Sequence, residues 1–148
     1  MKPTGRLTRA PIDSAQLLEE IGNAAHGAVL LFLGVVRDIN DGRSVSGIEY
    51  SAYEAMAALE LQAIADEAAE RHPGAAVLIV HRLGELALQE PSVAIVVGHG
   101  HRDEAYQLSR WSIEELKRRV PIWKREHYAD GTGEWVDPTG HARAAVTT

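Results

Sequence analysis

Two periods run through the apolar positions of this chain. Between residues 54 and 71, Ala57, Leu61, Ile64 and Ala68 recur at the spacing of one helical face. Arg71 and His72 lie at the C-terminal end of that segment, and Pro73-Gly74 stops it. A second long helix is predicted over 103–119. Asp103 and Glu104 open it, and Lys117, Arg118 and Arg119 close it, each suiting the helix dipole. Ala105, Leu108, Ser112 and Leu116 mark its inner stripe, with Trp111 and Ile113 at the edges, and Pro121 forbids its continuation. A short helix starts behind Asp13, a capping residue with Gln16 three places on and Leu17, Leu18 and Ile21 on its apolar side. Gly22 and Asn23 end it.

Between the helices the pattern shifts to strands. GAVLLFLGVV, residues 27–36, is continuously apolar and reads as a strand buried on both faces. An Asp41-Gly42 turn follows, then residues 44–53 with Ile48, Tyr50 and Ala52 on one face. AAVLIVHR, a connection containing Gly84, and SVAIVVGH up to His99 supply two more strands, and a late Glu134-Trp135-Val136 a short one. The order α-β-β-α-β-β-α-β predicts an α+β fold, a mixed sheet covered by helices in one domain over 13–138. Pro3, Gly5 and Pro11 make residues 1–12 a flexible lead-in, and 139–148 a frayed tail.

Composition narrows the function. At 148 residues, with 45% hydrophobic and 24% charged, the chain has the length and content of one globular domain. No apolar run approaches the roughly 18 residues of a membrane helix, and the basic start lacks the apolar core of a secretory signal. With no cysteine, disulfides, thiolate metal sites and cysteine nucleophiles are excluded. A cytoplasmic enzyme or binding module is expected. The net charge of −6 resides in residues 1–100, with 7 basic and 13 acidic side chains; the remainder, with 8 of each, is neutral. Five of the fifteen Lys and Arg residues fall between Lys117 and Arg125. One dense basic spot on an acidic chain suits a small anion better than a nucleic-acid backbone, which favours a broad basic face.

Three places can carry chemistry. In KRRVPIWKRE, Lys117 ends a helix and Lys124 follows the turn at Pro121, so two lysines can converge on one anion. A lysine beside other cations has a lowered pKa, which suits proton transfer; the plainer reading is a cationic helix end and a solvated loop. HGHR, His99 to Arg102, joins a strand end to a helix start, where free backbone N–H groups favour an anion. His99 and His101 with Asp103 also allow a metal-site reading. Arg37 closes the first apolar strand and Arg43 follows the turn, either as a pocket wall or reaching to solvent.

The ordered blocks GAVLLFLGVVRDINDG, IEYSAY, VLIVHRLGEL, HGHR and LKRRVPIWKRE, with the later EWV, span residues 27–136. In that order they resemble the large, catalytic subunits of molybdopterin synthase, PIWKRE after a Lys-ended helix being the most specific block. The resemblance implies an α/β hammerhead fold and an enzyme that installs two sulfurs, as a dithiolene, on cyclic pyranopterin monophosphate (precursor Z). The sulfur arrives as a thiocarboxylate on the C-terminal Gly-Gly of a small ubiquitin-like carrier, so a chain without cysteine fits. It also implies a homodimer within a heterotetramer, with neither metal nor cofactor. By resemblance, Lys117 lies beside the carrier tail and Lys124 contacts substrate. His101 and Arg102 bind the phosphate region, and Arg37 with the backbone at Val35 and Val36 closes the same pocket, which Arg125 and Glu126 complete. The family often has a basic residue shortly after the late Trp-Val element. Here Asp137 and Pro138 stand there, and Arg143 is the next basic residue. The alternative from another class is a non-catalytic module that binds a phosphate or nucleotide.

Overall fold

The structure is a computed structural model describing residues 1–136. Three helices, α1 (Ser14–Glu20), α2 (Glu54–Arg71) and α3 (Arg102–Arg119), accompany nine strands. The strands are β1 (Thr4–Thr8), β2 (Ala28–Val35), β3 (Ile39–Asn40), β4 (Arg43–Ala52), β5 (Ala76–Arg82), β6 (Gly84–Ala87), β7 (Pro91–His99), β8 (Ile122–Tyr128) and β9 (Trp135–Val136). They form two sheets. The first has the order β1-β5-β7-β2, antiparallel except for the parallel pair β1 and β5. The second runs β3-β4-β8-β9, with β6 also paired to β4. This is the α+β architecture expected.

Period-two alternation divides the first sheet's core between its faces. Val77, Ile79, Val93, Ile95 and Val97 meet Leu61 and Ile64 of α2 and Leu108 and Leu116 of α3 on one face. Leu78, Val80, Ala94 and Val96 meet Leu17 and Ile21 of α1 on the other. Burying each Leu or Ile of this set is worth about 1.5–3 kcal/mol. The predicted inner stripes of both long helices are buried throughout, and the Asp13 carboxylate caps α1 by accepting from Gln16 N at 3.2 Å. Asp41 and Gly42 both have positive φ, 49° and 75°, the geometry of the two-residue turn between β3 and β4.

Three expectations need correction. Residues 4–8 are not a loose lead-in: they form β1, paired in register from Thr4 with Leu78 to Thr8 with Arg82. Gly5 lets that strand approach α2, because a Cβ there would collide with the Leu61 carbonyl. Strand β2 is not buried on both faces. It is the sheet's edge, paired with β7 alone, and Val29 and Val35 stand exposed. An apolar run reports hydrophobicity and not the number of strand neighbours, so the sequence could not distinguish the two. The connection at Gly84 contains a strand, β6. The proposed tail, 139–148, and Asp137, Pro138 and Arg143 lie outside the described residues. No helix among those described is long and apolar enough to cross a membrane.

Candidate active site

Two elements aim the lysines. Helix α3 ends where Pro121 removes a donor, Val120 N closing its last turn on Leu116 O at 3.0 Å. The chain then enters β8, anchored by buried Trp123, whose ring meets Tyr53 edge-on at 4.5 Å. Alternation along β8 sends Lys124 and Glu126 to one face and Arg125 to the other. Lys117, in the last turn of the helix, comes to the same space as Lys124 and Glu126.

That space is a cavity of about 220 Å³ between the two sheets. Its walls include Gly34 and Val35 at the end of the edge strand β2, Arg37 just after it, Asn40, Tyr50 of β4, and Ser92 of β7. Glu126 is buried; one carboxylate oxygen accepts from Asn40 Nδ2 at 2.9 Å and lies 3.4 Å from Lys124 Nζ. Its second oxygen is buried without a hydrogen-bond partner among the described residues. Partial loss of solvent, and then the charge of Lys124, hold the Lys117 amine below the ordinary lysine value. Lys117 remains at the mouth, open to solvent. The cavity therefore offers a lysine held by a buried carboxylate and an amine biased toward its neutral form.

The other expected site residues divide. Arg37 is exposed and reaches Asn40 Oδ1 at 3.5 Å from the cavity rim. Val36 faces a small core of Val45, Ile48 and Leu86, and its backbone N–H and C=O are taken by Glu90 O at 3.1 Å and Gln89 N at 2.9 Å. Arg125 is on the far face of β8. His101 and Arg102 are not in the cavity: His101 occupies the N-cap position at the opposite end of α3, without a side-chain cap hydrogen bond, sixteen residues and about 24 Å of helix from Lys117. Both side chains are exposed at this helix start, and the Arg102 charge remains suited to an anion.

His99, His101 and Asp103 do not assemble as a metal site. His99 Nδ1 accepts from His101 N at 3.1 Å and lies 3.4 Å from a Glu104 oxygen. Among the described residues, the one His and carboxylate group close enough to hold an ion is Glu49, Glu85 and His127, on the outer face of the second sheet. Sequence reasoning missed Asn40, Tyr50 and Ser92 as cavity residues. Alternation placed Tyr50 on a common face with Ile48, but only the pairing of β4 with β8 brings it opposite Lys124.

Residues 7–119 match the family described as MoaE protein. A molybdopterin synthase catalytic subunit from Emericella nidulans is 40% identical over 129 residues, 87% of this chain and 66% of that protein, so this chain spans just under two thirds of its length. A molybdopterin synthase structure from Staphylococcus aureus matches with a TM-score of 0.85 at 39% identity, covering 95% of this chain and 99% of that one. A complex of subunits 1 and 2 of molybdopterin-converting factor from Helicobacter pylori includes a chain matching with a TM-score of 0.71 at 25% identity, with 86% of each chain covered. The chain belongs to the MoaE protein family.

Proposed function

We propose that this chain is the catalytic subunit of a cytoplasmic molybdopterin synthase, transferring sulfur from a carrier's C-terminal thiocarboxylate to cyclic pyranopterin monophosphate. The observation that carries the reading is the convergence of Lys117 and Lys124 on one cavity, beside an unpaired buried oxygen of Glu126. The carrier's sulfur adds to a carbonyl carbon of the pterin side chain, the C=O π pair moving to oxygen, which is protonated and leaves as water when the C=C of the dithiolene forms. Water then adds to the acyl carbon, the acyl C–S bond breaks, and the carrier leaves as a carboxylate with sulfur retained by the pterin. Lys124 holds negative charge as it develops. Lys117 exchanges protons at the cavity mouth, where the carrier tail enters.

His101 and Arg102 serve the same substrate from a second copy of the chain. An apolar groove of about 620 Å³ runs beside the open edge of β2, lined by Leu30, Leu31, Phe32, Tyr106, Arg110 and Ile113. It shares Phe32 and Ile113 with the lysine cavity and follows α3 toward its N-terminal end. A two-fold-related copy covering this groove antiparallel brings its own His101 and Arg102 toward Lys117. With a carrier at each cavity, the assembly is a heterotetramer.

Reconstitution tests the reaction. Purified protein, thiocarboxylated carrier and precursor Z yield molybdopterin, read as its fluorescent oxidation product. Lys117→Ala abolishes turnover while substrate binding, measured by calorimetry, is largely kept. Strong residual turnover would refute the role given to Lys117. Phosphate binding that collapses with salt, and no product with a carrier competent elsewhere, would instead favour the non-catalytic module.

A further inference from the structure

The cavity contains a phenol that no motif singles out. Tyr50 stands directly opposite Lys124 across the β4–β8 pair, so both side chains leave the sheet on the same side. It lines the cavity with Lys117 and Glu126. Packing holds its ring, which joins the cores of both sheets. His81 lies edge-on to it at 5.1 Å and 72°. His81 is buried in turn, with Nδ1 2.9 Å from Arg82 O, so that nitrogen bears the proton and donates. Ser92 is hydrogen-bonded to the Tyr50 hydroxyl and donates its own proton to Gly34 O at 3.3 Å, so the Tyr50 O–H rests on Ser92 Oγ and turns from it to a bound substrate. Burial raises the Tyr50 pKa, opposed by the Ser92 hydrogen bond and helped by a smaller contribution from Glu126, so the phenol keeps its proton through the physiological range.

The other polar groups of the cavity have different tasks. Lys124 is paired with Glu126, Lys117 is at the mouth, and Arg37 is on the rim. Tyr50 is a neutral O–H donor on a rigid strand in the cavity wall. We propose that Tyr50 is a further catalytic residue, its hydroxyl donating a hydrogen bond to the substrate oxygen that gains charge when the carrier's sulfur attacks the adjacent carbon. The inference rests on the sulfur-transfer reading. As the C–S bond forms, the π pair of the attacked C=O moves to oxygen. The Tyr50 O–H bond stays intact, so no proton must be supplied or removed in this step. A donor aimed at developing charge acts on the transition state more than on bound substrate.

Tyr50→Phe removes the hydroxyl and keeps the ring against His81. Turnover is measured with thiocarboxylated carrier and precursor Z, substrate affinity by calorimetry, and folding by the urea midpoint. The expected result is a kcat lowered about 10- to 100-fold, with the midpoint unchanged and substrate Kd within about two-fold. A kcat within about two-fold of wild type overturns the proposal, as does a loss confined to Kd. If the substitution lowers the midpoint, fluorotyrosine at position 50 decides: ring and O–H are kept while the phenol becomes more acidic, so the pH profile of kcat must move to lower pH, and an unmoved profile overturns the proposal. Inactive wild-type protein with a competent carrier defeats the sulfur-transfer reading instead.

Discussion

At the scale of single residues, burial and neighbouring charge set the protonation of groups in the cavity and behind its wall. Lys117 is pushed toward the neutral amine, first by desolvation and then by Lys124. His81 shows the same physics more strongly: complete burial, with a smaller contribution from Lys117, lowers its pKa from 6.5 to about 4. The unfolded chain binds a proton at this position below about 6.5, whereas the folded protein does so only near 4. Stability therefore falls as pH drops through that window, by about 3 kcal/mol in all. Urea midpoints of wild type and His81→Asn between pH 7 and 4 check this. The wild type loses stability across the window and the variant, although weaker at pH 7, has a flatter profile; parallel profiles would contradict the assignment. Lys117 and Lys124 were legible as a pair because a helix end, a proline and a strand start lie within eight residues. Tyr50, Asn40 and Ser92 were not, since they reach the cavity through pairings with segments far away in sequence.

At the scale of elements, periodicity located what depends on local sequence. The buried stripes of α2 and α3, the Asp13 cap and the Asp41-Gly42 turn match their patterns because one face or one backbone conformation decides each. Strand β1 escaped because Pro3, Gly5 and Pro11 suggest a loop, yet its partner, β5, is a buried strand that supplies the missing half of the pairing. Gly5 is a condition of that pairing. Gly5→Ala forces a methyl group into the backbone of α2 at Leu61, and the expected cost is about 1–3 kcal/mol, read as a lower urea midpoint with an unchanged slope. A midpoint equal to wild type would mean that β1 can shift away from α2 without cost.

At the scale of the whole molecule, the structure separates what the family resemblance placed in one pocket. His101 and Arg102 sit at one end of α3 and Lys117 near the other, so one chain cannot apply both to one small substrate. The open edge of β2 and its adjoining apolar groove explain why a strand that reads as fully buried stands at an edge: exposed apolar edges in soluble folds call for cover. The proposed sharing of one site between two copies predicts a complementation that no single-chain site allows. Lys117→Ala and His101→Ala, each inactive alone, leave one intact site in every mixed dimer, formed by Lys117 of one copy and His101 of the other. The two variants are unfolded together, refolded at equal concentration and assayed with thiocarboxylated carrier and precursor Z. Recovery of about a quarter of wild-type turnover is the predicted result, since half of randomly formed dimers are mixed and each has one working site. A mixture as inactive as its components, despite mixed dimers shown by mass, would contradict the shared site.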